Sequence, residues 1–353
     1  MSDQFILWAF GDAHIATDMR RNRNSMKEAI EQIEYGNNDC PAVDWDIAIN
    51  VGDMSGSQGL PDDEEGQMVA DSYLYLKKHN REDIYDICGN HDRSGLNEPK
   101  NWWFQKWIDP IGKNTQYSGV NPLKRKYNIS GTWERYSFCV GNLLFLMMSD
   151  INEPSQKKGR GDFGGNPGGV VSMETFQWWK DNVEKNQDKI IISAHHYMLK
   201  DTTVASGEYE GLQKDNKGNY KTYYHGYYPQ STPKGTSYLY WTGGISDAML
   251  FENYLNEHPG AISLWLGGHT HTRPDDTTGG KTHIENKWGT TFINVAALSK
   301  HHAFLTTYPM SRVLYFTEGC SNVLVRCLDH DNEKRFLDKY DKVIDLGKKF
   351  YRL

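Results

Sequence analysis

The chain has 353 residues, 38% of them hydrophobic, enough to bury a large core in one or two domains. Its formal net charge of -7 argues against duplex nucleic acid as a partner, because that binding rests on Lys and Arg neutralising phosphates; a small anionic substrate stays compatible. Residues 1–12 show no basic region followed by an apolar segment, and no apolar run reaches about 18 residues, so the expectation is a soluble, cytoplasmic protein without membrane contact.

In chain order, Phe5 to Phe10 is an uninterrupted apolar run of strand length that ends in Gly11-Asp12-Ala13-His14. One intervening residue puts Asp12 and His14 on the same side of the chain, which suits shared metal ligation. Asn24 or Ser25 caps a helix through Met26, Ile30 and Ile33. Asp46 to Val51 is a second strand, ending in Gly52-Asp53, and an amphipathic helix over about residues 63–78 separates it from a third. That third strand, Ile84 to Cys88, ends in Gly89-Asn90-His91-Asp92. Strand, cluster, helix, strand is the grammar of an α/β fold whose site gathers outside the carboxyl ends of its strands. The glycines are expected to turn the backbone sharply there.

The Trp-rich stretch 101–108 predicts a helix packed on the core, and 112–131 a loop. Trp133 to Val140 and Leu143 to Ser149, around Gly141-Asn142, predict a β-hairpin with a type I′ or similar turn. Residues 152–169, rich in Gly, Lys, Asn and Pro, predict an exposed loop, and Ser172 to Thr175 a capping box opening a helix to about Asn186. Ile190 to Ala194 is a buried strand ending in His195-His196. Over 197–244 periodicity is lost and eight tyrosines fall between Tyr209 and Tyr240, which predicts an insertion forming a rim or small cap over the clusters. Those tyrosines suit stacking on a base or sugar, plain packing, or an oligomer contact.

A helix over about 246–257 leads to a strand at Leu264 to Gly267 and then to Gly268-His269-Thr270-His271, two imidazoles two residues apart. Strand patterns at 291–297, 313–317 and 322–328 are expected to complete a second sheet, and the charged tail to add an edge strand or pack loosely. No internal repeat occurs, so a single domain over 1–330 with a 331–353 extension is expected. The five cysteines are odd in number and widely spaced, which reads as buried thiols without disulfides.

Asp12, His14, Asp53, Asn90, His91, His195, His269 and His271 thus sit at five strand ends. Seven ligands exceed the needs of one metal, and with a bridging carboxylate they suit two metals about 3.5–4 Å apart. Mixed nitrogen and oxygen donors suit Mn, Fe or Zn better than Mg or Ca. In order, over residues 11–271, this series resembles the five-motif signature of the calcineurin-like metallophosphoesterases. The resemblance implies a four-layered α/β/β/α sandwich. It implies one metal held by Asp12, His14, Asp53 and His271 and another by Asp53, Asn90, His195 and His269, with Asp53 bridging. It further implies attack on phosphorus by a hydroxide between the metals, with His91 stabilising charge or protonating the leaving group.

Gly89-Asn90-His91-Asp92 is most similar to the cyclic-nucleotide and glycerophosphodiester phosphodiesterase branch, although Tyr197 stands where that branch often has proline. Residues 52–57 lack the arginines of serine/threonine phosphatases and the metal-bound tyrosine of purple acid phosphatases. The expected activity is hydrolysis of a small organic phosphodiester. The alternatives are a phosphomonoesterase or nucleotide pyrophosphatase of the same fold, and a non-catalytic metal-stabilised scaffold. Asp92 reads as a local cap, Arg93 as a surface residue, His196 as a packing neighbour, and His225, His283, His301 and His302 as surface or loop histidines.

Overall fold

The computed structural model describes residues 3–56, 59–95, 97–151, 168–208, 235–301 and 307–352, and the backbone alone of 212–214 and 220–223. The first sheet is built from β1 (Gln4–Phe10), β2 (Ile47–Asn50), β3 (Ile84–Asp86), β16 (Met310–Thr317), β17 (Asn322–Asp329) and β18 (Lys342–Asp345), in the order β18-β17-β16-β1-β2-β3. β1, β2 and β3 run parallel, and β16 returns antiparallel beside β1. The second sheet contains β4 (Ser130–Gly131), β5 (Arg135–Val140), β6 (Leu143–Met148), β8 (Ile190–Ala194), β13 (Leu264–Gly267), β14 (Ile284–Lys287) and β15 (Thr290–Asn294), in the order β14-β15-β13-β8-β6-β5-β4. Two small sheets join β7 (Gly169–Val171), β11 (Leu239–Thr242) and β12 (Ile245–Ser246), and β9 (Leu212–Lys214) with β10 (Tyr220–Tyr223). The helices are α1 (Ile15–Met19), α2 (Ser25–Tyr35), α3 (Asp63–Tyr73), α4 (Thr115–Ser118), α5 (Met173–Lys185) and α6 (Leu250–Glu257).

Alternation along each strand sorts the side chains into three apolar layers. Phe5, Leu7 and Ala9 of β1 meet Ile190, Ile192, Leu264 and Leu266 between the sheets. Trp8 and Phe10 turn the other way, onto Met26, Ile30 and Ile33 of α2 and Val69 of α3. On the far side Leu144, Leu146 and Trp265 pack against Trp179 and Val183 of α5 and Phe251 and Leu255 of α6. The chain therefore stacks as α/β/β/α, and its central strands read as continuous apolar runs because both faces are buried.

Several expectations need correction. The strands at 310–317 and 322–329 join the first sheet beside β1, and only 290–294 joins the second. Alternation marks which face of a strand is buried but not which strand lies beside it. In the β5–β6 hairpin Gly141 has positive φ, +55°, and Asn142 does not, the pattern of a II′ rather than a I′ turn. Residues 104–108 form a π-helical turn. Ser172 caps α5 by accepting from the Thr175 amide, but threonine at that third position cannot complete a capping box, and both hydroxyls turn to Glu134. All five cysteines are free, with Cys139 and Cys320 exposed rather than buried. The 152–169 loop lies outside the described residues as far as 167.

A buried histidine ties the C-terminal half to α2. Trp8 Nε1 donates to Ser311 Oγ at 2.9 Å, which donates to His330 Nε2 at 2.7 Å; His330 Nδ1 donates to Gln32 Oε1 at 2.8 Å, and Gln32 Nε2 to the Asp329 carbonyl at 2.8 Å. Burial pushes the His330 pKa down to about 3, and the positive charges of Arg23 and Lys334 act the same way. A folded pKa below the unfolded value means that the unfolded chain binds the extra proton. The contribution is whole above about pH 7.5, and roughly 2 kcal/mol of it is lost by pH 5. Denaturant unfolding at several pH values is expected to give a slope shallower by about one proton in His330→Gln. An unchanged slope rules the residue out.

Candidate metal centre

The carboxyl ends of β1, β2, β3, β8 and β13 open toward one point between the sheets, and the loops leaving them carry the ligand-type residues. Five of those residues hold left-handed backbone: Asp12 (φ 51°), His14 (40°), Asp53 (60°), His269 (71°) and His271 (49°). Non-glycine residues pay about 1–3 kcal/mol each for such strain, which persists where the surroundings impose it and clusters at functional sites. The glycines before them serve another end than sharp turning. Gly52 does have positive φ, +103°, but at Gly89 a Cβ would run into the carboxylate of Asp53, and at Gly268 into that of Asp12. They are small so that the next loop can approach.

Three overlapping triplets result, each with ligand atoms within 4.8 Å of one another: Asp12, His14 and His271; His14, Asp53 and His91; Asp53, His196 and His269. In the first, His271 Nε2 lies 2.8 Å from Asp12 Oδ1 and 3.0 Å from His14 Nε2. In the third, His196 Nε2 lies 3.2 Å from Asp53 Oδ2, and the Asn90 carbonyl oxygen lies 3.0 Å from His196 Nε2 and 2.9 Å from His269 Nδ1. Three of the imidazoles are fixed from behind by backbone carbonyls: His14 Nδ1 donates to Ser55 at 2.8 Å, His196 Nδ1 to Val51 at 2.9 Å and His269 Nε2 to Thr236 at 2.8 Å. In their neutral forms the inner nitrogens are then acceptors, the tautomer a metal ligand needs.

Electrostatics point the same way. Burial opposes charge on Asp12, yet His196 and His271 hold its carboxyl well below the ordinary range, and His196 likewise lowers Asp53. Burial also opposes charge on His196, but Asp53 and Asp12 lift its pKa to about 10. Two buried carboxylates thus demand positive charge among nitrogen and oxygen donors, which is what a divalent cation supplies. Asp12, His14, Asp53, Asn90, His196, His269 and His271 fit such an ion.

His195 is not among them. It points away from the triplets, its Nδ1 accepting from the Tyr197 amide at 3.0 Å, and burial followed by the neighbouring His196 pushes its pKa down to about 3. Parity explains the exchange: residues 190, 192 and 194 face the first sheet, so 196 continues that face and 195 the opposite one. Metal analysis is expected to show His196→Asn losing the ion of the third triplet, with affinity down by at least about 100-fold, and His195→Asn keeping it. The reverse pattern would restore His195 as the ligand.

Other roles change too. Asp92 reaches back rather than forward, accepting from the amides of Asp53 at 2.8 Å, Gly89 at 2.9 Å and Ser55 at 2.9 Å, and so fixes the Asp53 loop. Burial and the adjacent Asp53 raise its carboxyl to about 7. Arg93 is buried, 3.1 Å from Asp150. His283 is buried as well, its Nε2 donating to the Arg273 carbonyl at 2.8 Å, while His301 is half-buried; His225 and His302 lie outside the described residues. Of the 197–244 insertion, Thr236 touches the site through His269, and most of its tyrosine-rich centre lies outside the described residues. Thr236, a carbonyl partner, leaves no sequence signal.

The profile of a family described as calcineurin-like phosphoesterase matches residues 6–273. No curated protein matches the chain. Among solved structures it is similar to TT1561 of Thermus thermophilus, with 8% identity over 97% of this chain and 99% of that one and a TM-score of 0.40. It is also similar to a single mutant of Vps29 from Entamoeba histolytica, with 10% identity, 97% and 99% coverage and a TM-score of 0.37. The sulfate thiohydrolase SoxB of Thermus thermophilus, in complex with glycerol, aligns at 11% identity over 96% of this chain and 59% of that one, with a TM-score of 0.41.

Proposed function

The chain belongs to the calcineurin-like phosphoesterase family, and on that premise we propose that it is a dinuclear metal-dependent phosphodiesterase acting on a small organic phosphodiester. The observation that carries the reading is the overlap of the triplets: His14 is common to the first two and Asp53 to the last two, so one continuous set of donors can serve two ions. Mn, Fe and Zn suit these donors. When bound, the ions supply Lewis-acid charge for the phosphoryl oxygens and an activated water.

The chain's own residues supply the rest. Asp53 Oδ1 accepts from the His91 amide at 2.7 Å, so the second and third loops are locked together and His91 is held beside the donors. The His91 ring stands edge-on to His14, centroids 4.7 Å apart, so a phosphoester held at these donors would lie within its reach and could receive a proton on its departing alkoxide. A phosphomonoester dianion asks for a guanidinium fork, and Arg93, next after the third cluster, is occupied with Asp150. That favours the singly charged diester. Five free cysteines support a reducing, cytoplasmic setting.

Hydrolysis of bis(p-nitrophenyl) phosphate beside p-nitrophenyl phosphate, with Mn added, tests the reading. Faster diester cleavage is expected. A monoester preference would move the assignment to a phosphatase, and a metal-loaded chain inert on both would favour the scaffold.

A further inference from the structure

A cavity of about 330 Å³ lies apart from the metal centre, between the loop that leaves His271 and the C-terminal segment; Pro274, Thr282, His283, Arg312, Lys339 and Lys342 are among its walls. Its volume sits at the lower end of the range of small-molecule sites, about 300–1,000 Å³. Arg312, on β16, is 1% exposed, and its Nε reaches the Asn294 carbonyl at a long 3.4 Å. Its Nη1 has no hydrogen-bond partner, and among the described residues no carboxylate pairs with it.

A buried guanidinium without an anion is unfavourable, since burial removes hydration and nothing replaces it. The two acidic residues of the cavity do not meet the need: Asp276 accepts from the Thr278 amide at 2.9 Å and hydroxyl at 2.7 Å, and Asp275 lies 3.5 Å from Arg273. Lys339 and Lys342 are exposed and add two further positive charges. We propose that this cavity binds a small oxyanion, a phosphate group free or carried on an ester, with Arg312 as its buried anchor and Lys339 and Lys342 at its mouth. A guanidinium presents paired N–H donors that match phosphate oxygens, and lysines act on it as point charges.

Equilibrium dialysis of the metal-loaded chain against radiolabelled inorganic phosphate tests this. One class of sites, one per chain, is expected to weaken by about tenfold in Lys339→Gln/Lys342→Gln, two charge-assisted contacts being lost, with phosphoester turnover unchanged. In Arg312→Met the same class disappears. Phosphate binding indifferent to the lysine pair, as when phosphate occupies only the metal centre, would overturn the proposal; the lysine variant decides the matter should Arg312→Met fail to fold. Glycerol 3-phosphate separates the two sources: displacement at a lower concentration than phosphate itself assigns an ester, and weaker displacement assigns free phosphate.

Discussion

Asp53→Asn is expected to leave a folded chain that holds neither metal ion tightly and turns over a phosphodiester at least about 10³-fold more slowly. The residue joins two of the three donor triplets, with Oδ2 3.2 Å from His196 Nε2 and 3.7 Å from His14 Nε2. Asparagine keeps its shape and one oxygen, so the backbone amide of Asp53 can still donate to Asp92 at 2.8 Å and the loop can hold its course. What goes is the negative charge, and with it the reason for two cations to share the site. Metal content by elemental analysis beside turnover reads the result. A preparation that still carries two ions per chain would refute the sharing.

His91→Ala is expected to behave differently, keeping both metals and losing about 10²–10⁴-fold in turnover, the range of a lost general acid. The geometry admits a competing role, because His91 is near enough to His14 and Asp53 to count as a third donor. The two roles part on metal content: a ligand's removal depletes the metal, and a proton donor's does not. A substrate with a good leaving group such as p-nitrophenolate needs less protonation, so the defect should be smaller there than with an alkyl diester. An equal defect on both, with metal intact, would assign His91 to charge stabilisation instead.

Much of the site is legible in one dimension because β-strand geometry makes it so. Apolar runs mark where the strands stop, and parallel strands bring their carboxyl ends to one edge; Asp12, His14, Asp53, Asn90, His269 and His271 therefore meet in the loops that leave those ends. The same reasoning foresees the helical layers, since capped amphipathic stretches such as 25–35 and 63–73 must bury a face.

Other features depend on contacts between distant segments. His195 and His196 are equivalent as letters, both faces of β8 are buried, and the choice between them came from which face meets the first sheet. Asp92 closes the third cluster and Arg93 follows it, yet their partners include amides at 53 and 55 and a carboxylate at 150. Five of the ligand-type residues, rather than all the glycines before them, take the left-handed backbone, a strain imposed only once neighbouring loops are packed. By itself the sequence determined the layers, the strand ends and most of the donor-type residues gathered there, because these follow from local periodicity. The tertiary structure alone decided which imidazole faces inward, which carboxylate fixes which loop and where a buried guanidinium is left without an anion, because each depends on groups far apart in the chain.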